Sequence, residues 1–295
     1  MSTDTIAADA GREAAAVMPT WRFLRSELGL VFRRRRNLVL LAVAAAFPVL
    51  MGIALKLSAP SGGDRGGNGP NASSAFFSQL AGNGVFLTFI ALSTLLLLVM
   101  PLVVSVVAGD SVAGEAGYGT LRYLLAVPAG RTRLLAVKYA AIVIFALAVA
   151  LVVSGSALVM GALLFPIGPV TLLSGSTVSL GAGLLRVLLV TLYVAAALAA
   201  AGAIGLLIST LTEHAIGAIA AAVVLVVTSE VLDNVPQLAP VGPYLPTHWW
   251  LRFDALLRSP VDGGTVLKGL VSFGVYTALA CAFAWARFTS ADVTS

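Results

Sequence analysis

The chain has 295 residues, 59% of them hydrophobic and only 11% charged, with a mean hydropathy of +0.99 and a formal charge of +5. A water-soluble domain of this length cannot hide so much apolar surface, because its exterior still needs polar cover, so the composition places the protein in a membrane. The positive charge does not point to nucleic acid: Arg33, Arg34, Arg35 and Arg36 abut an apolar run starting at Leu38, as a juxtamembrane anchor abuts anionic lipid.

Residues 1–17 read as a disordered tail, and 18–36 as an amphipathic helix lying in the membrane interface. Trp21, Leu24, Leu28, Val31 and Phe32 share one helical face, with Arg22, Arg25 and Arg33 elsewhere around the wheel. Phe23 and Leu30 blur that face, and a solvated basic tail is the alternative. The first apolar run begins too late, and is too long, for a cleavable signal peptide.

Six apolar runs, near 38–57, 84–108, 138–165, 184–208, 215–235 and 265–286, are each long enough to cross a hydrocarbon core of roughly 30 Å as a helix. Their unbroken apolarity excludes barrel strands, which alternate at period two. The expected fold is an all-α polytopic membrane protein, its six-helix transmembrane domain spanning 37–287 and followed by a tail at 288–295. Ala197, Ala201 and Gly205 have the small-xxx-small spacing that brings helix backbones together. Cys281 stands alone, so no disulfide forms within one chain.

Between the runs, residues 58–75 are rich in Gly, Ser, Asn and Pro and read as mobile. The segment 236–264 holds Pro236, Pro240, Pro243, Pro246 and Pro260 with Trp249, Trp250 and Phe253. Prolines interrupt helices and tryptophans favour the lipid–water boundary, so short outer-leaflet helices are expected there. With the N-terminus inside, twelve of the eighteen Lys and Arg residues fall on the cytoplasmic side and six outside, which puts both termini in the cytoplasm.

The stretch from Glu115 to Lys138, inside an expected cytoplasmic loop at 109–137, carries the most patterned chemistry. Gly117 and Gly119 permit a tight turn, Thr120 can cap a helix, Leu121, Leu124, Leu125 and Val127 form its apolar side, and Pro128 ends it. Arg131, Arg133 and Lys138 lead back to the membrane. A plain basic loop would explain the arginines but not the whole pattern.

This run resembles the cytoplasmic loop of ABC-2 type permeases, the membrane subunits of bacterial ATP-driven exporters. Tyr244-Leu245-Pro246-Thr247-His248-Trp249 also resembles a pattern in that family's outer segment. The resemblance implies a cytoplasmic coupling helix within Glu115 to Val127 that seats on a nucleotide-binding subunit. It makes Glu115, Gly119, Thr120, Leu121, Leu124, Pro128, Arg131 and Lys138 coupling residues, with a second contact at Glu213 and His214 in the short connection 209–214. Two ATPase copies, a second permease subunit (a homodimer) and a location in the bacterial cell membrane follow from the same resemblance. An amphipathic drug, antibiotic or lipid is the implied class of cargo.

No GxxxxGK[ST] sequence occurs, so ATP and Mg would be held by the partner and no cofactor by this chain. Phe86, Phe89 and Met100 are candidates for an apolar substrate path, or for ordinary helix contacts. The alternative function is an ATP-independent carrier or proton-coupled transporter using Glu230 and Asp233, which stand three residues apart near the outer end of the fifth run. Those two acids equally suit an interface position, since Asn234 and Pro236 end the helix. His214 and His248 lack partners at metal-ligand or catalytic spacing, so neither a metal site nor an enzyme is expected.

Overall fold

The computed structural model describes residues 20–58, 83–117, 131–172 and 174–290. The expected tail at 1–17, nearly all of the run at 58–75 and the expected helix at 119–128 lie outside the described residues.

In lipid a helix satisfies its backbone polar groups within one segment, and helices dominate this chain. In order they are α1 (Thr20–Arg33), α2 (Arg35–Ser58), α3 (Phe86–Leu96), α4 (Val99–Gly117), α5 (Arg131–Leu164), α6 (Leu180–Leu211), α7 (Ala215–Asp233) and α8 (Gly263–Ser290). A small antiparallel hairpin, β1 (Val170–Thr171) and β2 (Thr177–Val178), links α5 to α6, its turn closed by Gly175 at φ 79°. Three 3-10 helices, Pro236–Leu238, Gly242–Tyr244 and Trp250–Leu257, separate α7 from α8 where short helices were expected. Among the described residues six helices (α2, α4, α5, α6, α7 and α8) are long and apolar enough to cross a membrane.

The run expected as one helix at 84–108 is two, divided at Leu97 and Leu98. Pro101 supplies the reason: it has no N–H for the Leu97 carbonyl, and its ring crowds that carbonyl. α4 then continues to Gly117 and α5 begins at Arg131, so the connection expected at 109–137 shortens to 118–130. α5 and α6 have 34 and 32 residues. At about 1.5 Å per residue each is about 50 Å long, so both tilt or project beyond the hydrocarbon.

α6 is the central helix, with 67% of its apolar stretch buried against 17% for α2 and α8. Small residues make that position possible: Ala197 is fully buried, and Gly205 lies so close to Ala108 of α4 that a Cβ there would stand 2.8 Å from the alanine methyl. The exposed apolar faces of α2, α7 and α8 are what a bilayer-embedded protein turns outward.

Contacts at the helix termini define two ends of the bundle. The basic end gathers α1, the end of α4, the start of α5, the α6–α7 turn and the end of α8. The opposite end gathers the start of α3, the hairpin and the proline-rich segment. There the Asn83 amide donates to the carbonyls of Gly168 and Pro169 at 2.6 and 3.0 Å, and the Gly84 N–H donates to Pro166 at 2.8 Å. Asp262 caps α8, accepting from the Thr265 N–H and hydroxyl, which hold its carboxyl below the ordinary carboxylate range.

Trp250 corrects an expectation. It is 2% exposed and packs in the core, so only Trp249, half-buried with its indole N–H on the Pro243 carbonyl at 3.0 Å, is placed like an interface residue.

Candidate functional site

Six charged side chains meet at the basic end where four helices converge. Glu27 is the one acid on α1, and it sits between Phe23 and Val31 at helical i, i+4 spacing on the inward face. A buried carboxylate needs a counter-charge. Lys138, in the second turn of α5 and 3% exposed, supplies it: its Nζ lies 3.7 Å from Glu27 Oε1 and 2.6 Å from Glu115 Oε1 of α4. Asp110, one turn and a half earlier on α4, is held by Arg36 at 2.9 Å and by Arg34.

Arg34 is the residue that divides α1 from α2. Asn37 stitches this corner, donating its amide to the Val31 carbonyl at 2.8 Å. A cavity of about 40 Å³ lies among Glu27, Arg34, Asn37, Asp110, Glu115 and Lys138, polar and large enough for water. Three acids balance three bases, and the cluster ties α1, α2, α4 and α5 into one base on either side of residues 118–130.

Several residues expected to face a partner are used here instead. Lys138 is buried in the ion pair, which leaves it no surface to present. Glu115 is mostly buried against it. The Arg131 guanidinium donates to the carbonyls of Phe288 and Thr289 at 3.3 and 3.0 Å, satisfying the end of α8. Glu213 and His214 are exposed, and the Glu213 carbonyl lies beside Gly117, so that short turn stands next to the start of 118–130. Gly119, Thr120, Leu121, Leu124 and Pro128 lie outside the described residues.

On α1 the inward stripe is Phe23, Glu27 and Val31, with Phe32 against Phe145 of α5 at 5.7 Å between ring centres. Trp21 and Leu30 point outward, Trp21 at 68% exposure, and Arg33 and Arg35 are exposed. The amphipathic helix is therefore present: Leu24, Leu28, Val31 and Phe32 of the expected face are half-buried, Trp21 is not, and the face widens to take in Phe23 and Glu27. A single acid at the centre of an apolar stripe was the legible signal.

The remaining candidates lie elsewhere. Phe86, Phe89 and Met100, candidates for a path or for ordinary helix contacts, are buried at 8, 4 and 0% exposure within the single chain, the two rings edge to face at 6.2 Å. At the opposite end Glu230 and Asp233 do not open onto a common path. Asp233 meets His248 Nδ1 at 2.6 Å, and the Thr247 hydroxyl bonds Ser229, the neighbour of Glu230, at 2.8 Å. The Asp233–His248 and Ser229–Thr247 contacts fasten α7 to the proline-rich segment. His248→Ala is expected to cost about 1–2 kcal/mol and to speed proteolysis within 236–250; cleavage at the wild-type rate would show that the pair does not hold the segment.

The family described as ABC-2 family transporter protein matches residues 31–248, from the end of α1 through His248. No curated protein matches the chain. With a match over well more than half its length, and six helices fit to span a membrane, the chain belongs to the ABC-2 transporter family.

Proposed function

We propose that this chain is the permease subunit of an ATP-driven exporter, paired with a separate ATPase that seats on residues 118–130. The observation that carries the reading is the anchored base of that connection. Its first flank is fixed through Glu115 to Lys138 and Glu27, and its second through Arg131 to the end of α8. A force applied to 118–130 is thereby delivered to α1, α4, α5 and α8 together. Exposed Glu213 and His214 supply a smaller second contact beside Gly117.

Two permease copies work with two ATPase copies, and ATP and Mg²⁺ are held by the partner. The exposed stripe of Ile216, Val224 and Val231 on α7 suits a face turned to the second permease. The basic end faces the cytoplasm, in keeping with the positive-inside bias and with Arg33 and Arg35 at the lipid headgroups. The family supports a transport role for this chain.

The reading is tested by co-expressing the chain with a candidate ABC ATPase subunit. The two are expected to co-purify as a complex of two copies each by native mass spectrometry, and deletion of 120–126 is expected to abolish ATP-dependent transport. Full transport by the deletion variant, or no association with an ATPase, would overturn it.

A further inference from the structure

We infer that Ser209 is a positioning residue that sets the direction in which α4 enters the coupling connection, an inference that rests on the function proposed above. Ser209 is fully buried in the last turn of α6. Its hydroxyl donates to the Gly109 carbonyl at 2.7 Å and accepts from the N–H groups of Ala113 at 2.9 Å and Val112 at 3.1 Å. Gly109 and Ala113 are the two ends of one i→i+4 rung of α4, so a side chain from a neighbouring helix sits astride that rung. One donor and two lone pairs are all a hydroxyl has, and all are used. Such an insertion bends a helix.

The two sides of this contact are held differently. Before it, Gly109 is pressed against the backbone of α7: a Cβ there would stand 2.8 Å from the Ile219 nitrogen. That part of α4 cannot shift. Beyond it lie Glu115 on Lys138, and Gly117 beside the Glu213 carbonyl. The short span 113–117 thus leaves a fixed pivot in a direction that this hydroxyl helps to set, together with the Glu115–Lys138 pair. Ser209 also lies five residues before His214 on the same chain, so this contact, with that of Gly117 on the Glu213 carbonyl, joins the two surfaces proposed to meet the ATPase.

Removing the hydroxyl has a specific consequence. With the hydroxyl gone, the Gly109 carbonyl and the Ala113 N–H, the two ends of one α4 rung, can satisfy each other. Ser209→Ala therefore keeps the fold but releases α4 from α6, redirecting 113–117.

The test uses nitroxides on Ala116→Cys and Thr289→Cys in a Cys281→Ala background, with electron–electron distances measured in the permease alone. ATP turnover is then measured in the reconstituted permease–ATPase complex. Ser209→Ala is expected to displace the distance peak and to lower turnover about tenfold, with subunit association and melting temperature unchanged. Ser209→Thr, which keeps the hydroxyl, is expected to restore both readouts.

An unmoved distance peak in Ser209→Ala would overturn the inference, as would a moved peak with wild-type turnover. If no ATPase bound the wild-type chain, the functional reading would fall and the positioning role with it. The distance measurement separates the two failures, because it reports on α4 without the partner.

Discussion

Lys138→Met is expected to destabilise the protein by about 3–5 kcal/mol, the cost of leaving buried charges without their partner. The lysine is 3% exposed and stands between two carboxylates on different helices, whose side chains are 10 and 17% exposed. The prediction is sharper than a single number, because the damage belongs to the stranded acids and not to the missing ammonium. Lys138→Met combined with Glu27→Gln and Glu115→Gln is expected to recover most of the lost stability. The four corners of this comparison form a mutant cycle read by thermal or denaturant unfolding in detergent. A Lys138→Met protein as stable as wild type would show that the cluster is not a structural base. If stability is lost while ATPase association is kept, the base is structural only.

Gly84→Ala and Gly161→Ala are each expected to cost about 2–3 kcal/mol, the upper range for forcing extra atoms into a packed site. A Cβ on Gly84 would collide with the backbone carbonyl of Gly161, and a Cβ on Gly161 with that of Gly84. The obstacle is main chain on both sides, which cannot rotate away as a side chain can. Helix propensity makes the sign informative: Gly161 lies inside α5, where alanine alone would gain about 1 kcal/mol. The steric term is the larger, so the net effect is destabilising. Since both substitutions break the same contact, the double variant is expected to cost clearly less than the sum. Stabilisation by Gly161→Ala would mean that α5 and the start of α3 are not in backbone contact.

The site was only partly legible beforehand. Glu115, Arg131, Lys138, Glu213 and His214 do gather at one end of the bundle, as their placement beside the apolar runs suggested. Which of them stay accessible was not legible, because a basic residue next to a membrane has the same appearance whether it meets lipid, a partner or a buried acid. Lys138 is paired inside, Arg131 closes α8, and the turn at 213–214 remains exposed. Glu27 and Asp110, the acids that complete the cluster, are 83 residues apart in sequence.

Hydrophobicity by itself determined the class of fold and the number of crossings, because an apolar helix in lipid needs no partner to satisfy its backbone. The break in the second run was likewise implicit in Pro101, and the close packing of α6 in Ala197, Ala201 and Gly205. Tertiary structure alone decided the inward face of α1, the burial of Trp250 and the capture of Ser209 by α4. In each case the outcome depends on a charge, cavity or hydrogen-bond partner contributed by another helix, and no local pattern records which neighbour will provide it.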